Sequence, residues 1–204
     1  EVQISASPDQ LKNCKEILQH KCSESTFDGC LTFVIGENGM DLALKFGLPA
    51  KQIIKTGNWL GPLLVAAAEN GVKKLLLFGY HGKLIKLSGG IFHTHHHLAD
   101  GRLEILTSLA VKEAISFDLI ELISKSTSVE NALLALELNN PEDVALIWGR
   151  MAKEIEIKSR SYVNRYLSST MEIGSVLFDR KRQIRWAGFQ GLEQINSLGL
   201  ILKS

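Results

Sequence analysis

The chain has 204 residues, 45% of them hydrophobic and 22% charged, which suits one soluble globular domain or two small ones. Its 23 basic side chains face 22 acidic ones for a formal net charge of +1, so there is no concentrated basic face for general nucleic-acid binding and no nucleic-acid partner is expected.

Cys14, Cys22 and Cys30 are an odd number without a CxxC pair, in a chain too large to need disulfide staples. They read as reduced thiols of a cytoplasmic protein. No apolar run approaches the roughly 18 residues of a membrane span and no signal segment opens the chain, so no membrane partner is expected. The first residue is Glu1 rather than Met, as in a fragment.

Glu1 to Ser5 alternates weakly, as a linker or an edge strand would. Ser7-Pro8-Asp9 is a helix start, with a serine cap, proline at the first helical position and an acid in the first turn. Leu11, Cys14, Ile17 and Leu18 supply its apolar face to about Lys21, which makes Cys14 a core residue rather than a reactive thiol. Leu31–Ile35 is a strand, Gly36-Glu37-Asn38-Gly39 the turn leaving it, and Met40–Phe46 a short helix closed by Gly47 and Pro49. Gln52–Lys55 is a second strand. Asn58 then caps a helix carrying Trp59, Leu63, Ala66 and Ala67, with Pro62 tolerated in its first turn. That helix ends at Asn70-Gly71, and Lys73–Phe78 is a third strand that breaks at Gly79.

Strands and helices alternating at this spacing predict βαβ units in a mostly parallel sheet covered on both faces, a three-layer α/β/α arrangement. Right-handed crossovers bring the loops 36–39, 56–58 and 79–83 to one carboxyl edge, where open α/β sheets bind ligands. Lys83–Ser88 is a short helix. A longer helix with Thr94 as its cap fits His95, Leu98, Leu103, Leu106, Leu109 and Ala110 near one face. Residues 116–170 form a helical portion: Leu119–Ile123 in one helix, Ser128 capping a second through Leu138, and Pro141-Glu142-Asp143 opening a third. The third carries Val144, Ile147, Trp148, Met151 and Ile155 at core spacing and runs on to Tyr162 or Tyr166, a break near Ser159–Ser161 being the alternative. Ser175–Phe178 and Gln183–Trp186 form a C-terminal β-hairpin around Asp179-Arg180-Lys181-Arg182, a basic turn that reads as a solvated tip. With no repeats or clear internal linker, residues 1–204 read as a single α/β domain.

The stretch Leu75–Arg102 is the densest in chemistry. In His93-x-His95-His96-His97, neighbouring helical residues point about 100° apart and cannot all face one ion; with no nearby cysteine and no HExxH order, no protein-bound metal is expected. His95, at a helix N-terminus, is the functional candidate among the bystanders. Gly36–Gly39 follows a strand and precedes a helix as a nucleotide-binding turn does, but the GxGxxG spacing is absent, and a simple turn remains the alternative. Gly79-Tyr80-His81-Gly82-Lys83 is not a P-loop, yet two glycines and a lysine allow close approach of an anion. Lys83 and Lys86, three apart, flank the same groove or are merely exposed.

Gly79-x-x-Gly82-Lys83-Leu84-x-Lys86, then Gly90-Ile91-Phe92-x-Thr94-His95, then Ala99-Asp100-x-Arg102-x-Glu104 resembles the cobalt-precorrin-5B C1-methyltransferases of anaerobic cobalamin biosynthesis. Gly36-x-Asn38-Gly39 and Lys55-x-x-Asn58-x-x-Gly61 resemble the same family, and the helical and hairpin portions match more weakly. The resemblance implies methyl transfer from S-adenosylmethionine to C-1 of cobalt-precorrin-5B, giving cobalt-precorrin-6A, with an acidic tetrapyrrole as partner and cobalt carried by that substrate. It covers the family's C-terminal part only. The family's N-terminal domain, with its Thr-Thr-Gly-Ser/Thr-rich opening, is absent here and is an implied partner. Tyr80-His81 and Gly101 depart from the family pattern.

On the matching positions, His95 is expected to exchange a proton as the ring's electrons shift. Gly36, Asn38, Gly39 and Asn58 are expected at the methyl donor. Gly79, His81, Gly82, Lys83, Lys86, Thr94 and Arg102 are expected at the tetrapyrrole, the lysines and the arginine gripping its carboxylates. A non-catalytic tetrapyrrole-binding or scaffold fragment, and an unrelated α/β nucleotide-binding enzyme, are the alternatives.

Overall fold

In the computed structural model, which describes residues 8–95 and 97–202, apolar side chains alternate across a five-stranded sheet. Strand β1 (Cys30–Ile35) sends Leu31, Phe33 and Ile35 to one face and Val34 to the other. Strand β3 (Lys74–Tyr80) divides Leu75 and Leu77 from Leu76 and Phe78 in the same way. With β2 (Ile53–Thr56), β4 (Glu172–Phe178) and β5 (Ile184–Ala187), the order is β2-β1-β3-β4-β5. The first four strands are parallel, and β5 turns back antiparallel along β4 as the predicted hairpin.

Helices cover both faces, giving the expected three layers. Helices α2 (Met40–Phe46) and α9 (Phe189–Ser197) bury Ala43 and Ile195 against the Val34 face. The opposite face carries α1 (Pro8–Ser23), α3 (Leu60–Glu69), α4 (His81–Ser88) and α5 (Arg102–Lys112). Helices α6 (Phe117–Lys125), α7 (Val129–Asn139) and α8 (Pro141–Asn164) complete the same core. Helix α8 is its spine: it packs on α3, α4, α5, α7, β4 and β5, and its Trp148 is fully buried.

Local expectations fail where tertiary contacts supply a better partner. Strand β3 does not break at Gly79, because that residue pairs with Ile35 on one side and Leu177 on the other. Helix α3 is not capped by Asn58. Instead the N–H groups of Leu60 and Gly61 donate to the Phe92 carbonyl at 3.0 and 3.1 Å. The helix expected from Thr94 starts only at Arg102, since residues 93–95 are held against α3 through the Trp59–His93 bridge and Asn58. Helix α8, by contrast, runs past Tyr162 as expected, without the alternative break at Ser159, which is buried. Ser128 does cap α7, accepting from Asn131 N at 3.1 Å.

Helix α9 was not foreseen. Its first turn is held from α8: the buried Glu156 carboxylate accepts the N–H groups of Gln190 and Gly191 at 3.1 and 2.9 Å, and that of Ser175 in β4 at 3.0 Å. The weakly alternating Glu1–Ser5 and the expected Ser7 cap lie outside the described residues. Among the described residues, no helix is long and apolar enough to cross a membrane.

Candidate functional site

The strand order places a topological switch point between β1 and β3, whose chain continuations leave the sheet in opposite directions and open a crevice at their carboxyl ends. A cleft of about 700 Å³ lies there. Gly36 and Asn38, leaving β1, form one rim, and Gly36 adopts φ 94°, a left-handed value that favours glycine. Tyr80, Gly82 and Lys83 come from the β3–α4 junction. A Cβ on Gly82 would lie 2.5 Å from the Tyr80 ring, so glycine lets the phenol fold back over the start of α4.

The far wall comes from later in the chain. Arg102 stands at the start of α5, Ser128 and Glu130 at the start of α7, and Asp179, Arg180 and Arg182 on the hairpin turn. The basic turn is therefore a wall of the cleft and not only a solvated tip. Its strand β4 ends at the same carboxyl edge as β1 and β3, which is why the turn arrives there.

Among the described cleft residues, the four cations Lys83, Arg102, Arg180 and Arg182 thus face the two carboxylates Glu130 and Asp179. Arg102 is held bidentately by Asp100, with both nitrogen–oxygen distances at 2.7 Å, and Arg182 pairs with Asp41 at 2.6 Å. The Arg102 guanidinium holds the Asp100 carboxyl below its usual range, and Arg182 does the same for Asp41. Both pairs are about two-fifths exposed or more, so each contributes little to stability and is exchangeable for a carboxylate of a ligand. The Lys83 ammonium reaches over Gly36, 3.8 Å from where a Cβ would stand.

Behind this surface is a buried relay. The Trp148 indole N–H donates to His81 Nδ1 at 2.9 Å, so the neutral imidazole carries its proton on Nε2. That nitrogen lies 3.2 Å from Glu130 Oε2, which also accepts the Tyr80 hydroxyl at 3.1 Å. His81 is fully buried, and desolvation pulls its pKa below the ordinary histidine value against the opposing pull of Glu130. Burial and the neighbouring Glu130 push Tyr80 up to about 12, so it stays a donor.

The residues singled out in sequence separate into two groups. Gly36, Asn38, Gly82, Lys83 and Arg102 share the cleft. Gly39 is buried beneath Val34 and Phe178, Gly79 lies inside the sheet, and His81 sits behind the wall. Asn58, Thr94 and Lys86 form a separate buried knot. Thr94 Oγ1 donates to Asn58 Oδ1 at 2.9 Å, and Lys86 Nζ donates to the carbonyls of Thr94 and Ala99 at 3.2 and 2.6 Å. Loop 56–58 consequently leaves the cleft to its neighbours. His95 is buried outside the cleft, accepting the His97 N–H on Nδ1 at 3.4 Å. Lys86 is 2% exposed, and burial lowers its pKa, so it braces the 91–101 loop and does not flank the groove with Lys83.

Among the described residues, no group of three or more His, Cys, Asp or Glu could hold a metal. The helical-geometry ground for expecting none does not apply, because the described histidines of the cluster are not helical; His96 lies outside the described residues. His93 stands edge-on to Trp59 with ring centroids 4.2 Å apart.

A family model described as "CbiD, C-terminal domain" matches residues 93–188. A cobalt-precorrin-5B C(1)-methyltransferase of Prochlorococcus marinus strain NATL1A is 89% identical over 203 residues, covering 100% of this chain and 53% of the relative. Its namesake in strain NATL2A is 88% identical with the same coverage. That in strain MIT 9313 is 54% identical, covering 98% of this chain and 52% of the relative. Residues 93–188 thus carry the C-terminal domain of the CbiD family. The chain spans about half the length of the curated relatives it matches. No solved structure matches it.

The CbiD C-terminal match takes in the far wall of the cleft, from Arg102 through Glu130 to Arg182, while the β1 and β3 rims precede it. Tyr80, Ser128, Glu130, Asp179, Arg180 and Arg182 are the polar cleft residues that sequence reasoning missed as site residues. The available signals were an acid two residues after a serine cap, and a basic run directly after a strand.

Proposed function

We propose that this chain is the C-terminal part of an enzyme that transfers a methyl group from S-adenosylmethionine to C-1 of cobalt-precorrin-5B, giving cobalt-precorrin-6A. The supporting observation is the 89% identity to a so-named relative along the whole chain, joined to a cleft whose walls carry Lys83, Arg102, Arg180 and Arg182. A tetrapyrrole bearing many carboxylates suits that lining, because charge-assisted hydrogen bonds are strong and the existing ion pairs are weak enough to exchange. Cobalt arrives as part of the substrate.

Methyl transfer needs two reactants held in line and their charge managed, which is positioning and electrostatics rather than covalent catalysis. The residues expected at the methyl donor do not form one set: Gly36 and Asn38 rim the cleft, whereas Gly39 and Asn58 do not. The donor therefore sits at the Gly36–Asn38 rim and takes its remaining contacts from the part of the protein outside this chain. Three free cysteines suit the reducing, cytoplasmic setting expected from the sequence.

The test uses the full-length protein carrying this segment, supplied with cobalt-precorrin-5B and S-adenosylmethionine. A product one methyl group richer, and S-adenosylhomocysteine in equal amount, are expected. Absence of both from folded protein that binds the tetrapyrrole would leave a binding module, and absence of binding as well would remove the tetrapyrrole assignment.

A further inference from the structure

Among the described residues, Glu130 is the one cleft carboxylate that a buried relay holds in place. Its side chain is 14% exposed. Oε2 receives both the Tyr80 hydroxyl and the His81 Nε2 proton, and His81 is locked in turn by Trp148. Among the described residues, Oε1 has no hydrogen-bond partner, although the residue lines the cleft. One oxygen fixed by two donors and the other left for a ligand is the arrangement of a positioned proton acceptor. Asp179, the other described carboxylate of the cleft, is different: its Oδ1 accepts the Gln183 N–H and its Oδ2 faces Arg185 at 3.5 Å, so both oxygens have partners.

From this geometry we propose that Glu130 is the proton acceptor of the methyl-transfer reaction, with Tyr80 and His81 as its positioning residues. The inference rests on the methyltransferase reading above. A nucleophilic ring carbon forms its bond to the methyl carbon while the carbon–sulfur bond breaks and its electron pair stays on sulfur. The sulfonium becomes a neutral thioether, and the positive charge passes to the methylated macrocycle. Loss of one proton from the macrocycle to Glu130 Oε1 restores the balance, and the proton leaves to water. The donor alone accounts for the charge, so no oxidant or reductant is needed.

Other titratable or charged groups share the cleft or its wall with this carboxylate. Tyr80 comes from β3, His81 and Lys83 from α4, Arg102 from α5, and Asp179 and Arg180 from the hairpin turn. Within a pH-dependent rate, histidine titrates nearest, but His81 is fully buried, has both nitrogens occupied and has a depressed pKa.

Glu130→Gln tests the assignment in the full-length protein. The glutamine oxygen still accepts from Tyr80 and His81, while the remaining position becomes an amide that takes no proton. Expected is a fall in methylation rate of roughly 100-fold or more, the usual scale for a lost general base, with tetrapyrrole and methyl-donor affinities within a few fold. The acid limb of the wild-type pH–rate profile should vanish. Retained rate, or a parallel loss of affinity for either reactant, would overturn the assignment. Tyr80→Phe carries the test if Glu130→Gln does not fold. Removing a donor to the carboxylate should move the acid limb to higher pH, which a purely structural role would not do; an unmoved limb overturns it. Wild-type turnover in the same assay tests the methyltransferase reading separately.

Discussion

The Trp148 indole donates to His81 Nδ1 at 2.9 Å between two side chains that are both fully buried. This hydrogen bond fixes the imidazole tautomer and so aims the Nε2 proton at Glu130. Trp148→Phe keeps most of the volume but leaves a buried acceptor unpaired, a loss on the order of 1–3 kcal/mol. Chemical denaturation of the wild type and the variant would measure it, and equal stability would contradict the role.

Acid should act on the same pair. The folded pKa of His81 lies below the ordinary value of 6.5, so the unfolded chain binds the extra proton first. Its contribution is therefore fully present above about pH 6.5 and is lost as pH falls from there through the folded value. Denaturant midpoints measured from pH 7.5 down to 5 should decline, with a smaller decline in His81→Phe once its lower starting stability is subtracted. Identical slopes would remove His81 from the acid response.

Lys86 is expected to be a stability residue. Lys86→Met removes the ammonium that donates to the Thr94 and Ala99 carbonyls and should cost about 1–3 kcal/mol for each buried acceptor left unpaired. Hydrogen exchange should quicken across residues 91–101, while tetrapyrrole affinity in the folded fraction changes little. A large affinity loss at unchanged stability would return Lys86 to the binding groove.

Glu156→Ala should loosen α9. Three backbone N–H groups lose their acceptor, and the expected cost is on the order of 3 kcal/mol because the group is buried and α9 has no capping side chain of its own. Amide exchange at Gln190 and Gly191 reports it directly; unchanged protection there would contradict the capping role.

The parallel core of the fold was legible because its signals are local. Leu31–Ile35 and Lys73–Phe78 are apolar runs, Met40–Phe46 ends at Gly47 in a left-handed conformation, and Ser128 is a cap followed by an acid. What sequence could not show depends on distant partners. Asn58 has the chemistry of a cap, but the Phe92 carbonyl reaches the end of α3 first. Thr94 resembles a helix start, yet its hydroxyl is engaged by Asn58, 36 residues away. The cleft was half visible: Gly36, Asn38, Gly82 and Lys83 follow strands, whereas Glu130 reaches Tyr80 across 50 residues and no pattern in the chain links them.

Acidic-ligand binding in the cleft is tested most directly by measuring the equilibrium affinity of the full-length protein for cobalt-precorrin-5B after single neutralising substitutions. Lys83→Ala and Arg180→Ala should each weaken binding by about 10- to 150-fold, the equivalent of a charge-assisted hydrogen bond worth roughly 1.5–3 kcal/mol. The wild-type affinity should also fall with added salt. Lys73→Ala, just before β3 at the opposite edge of the sheet, serves as the control and should change affinity by less than about two-fold, the scale of a screened surface charge. Equal affinities for all three variants, or a loss as large in Lys73→Ala as in Arg180→Ala, would contradict placement of the acidic substrate in this cleft.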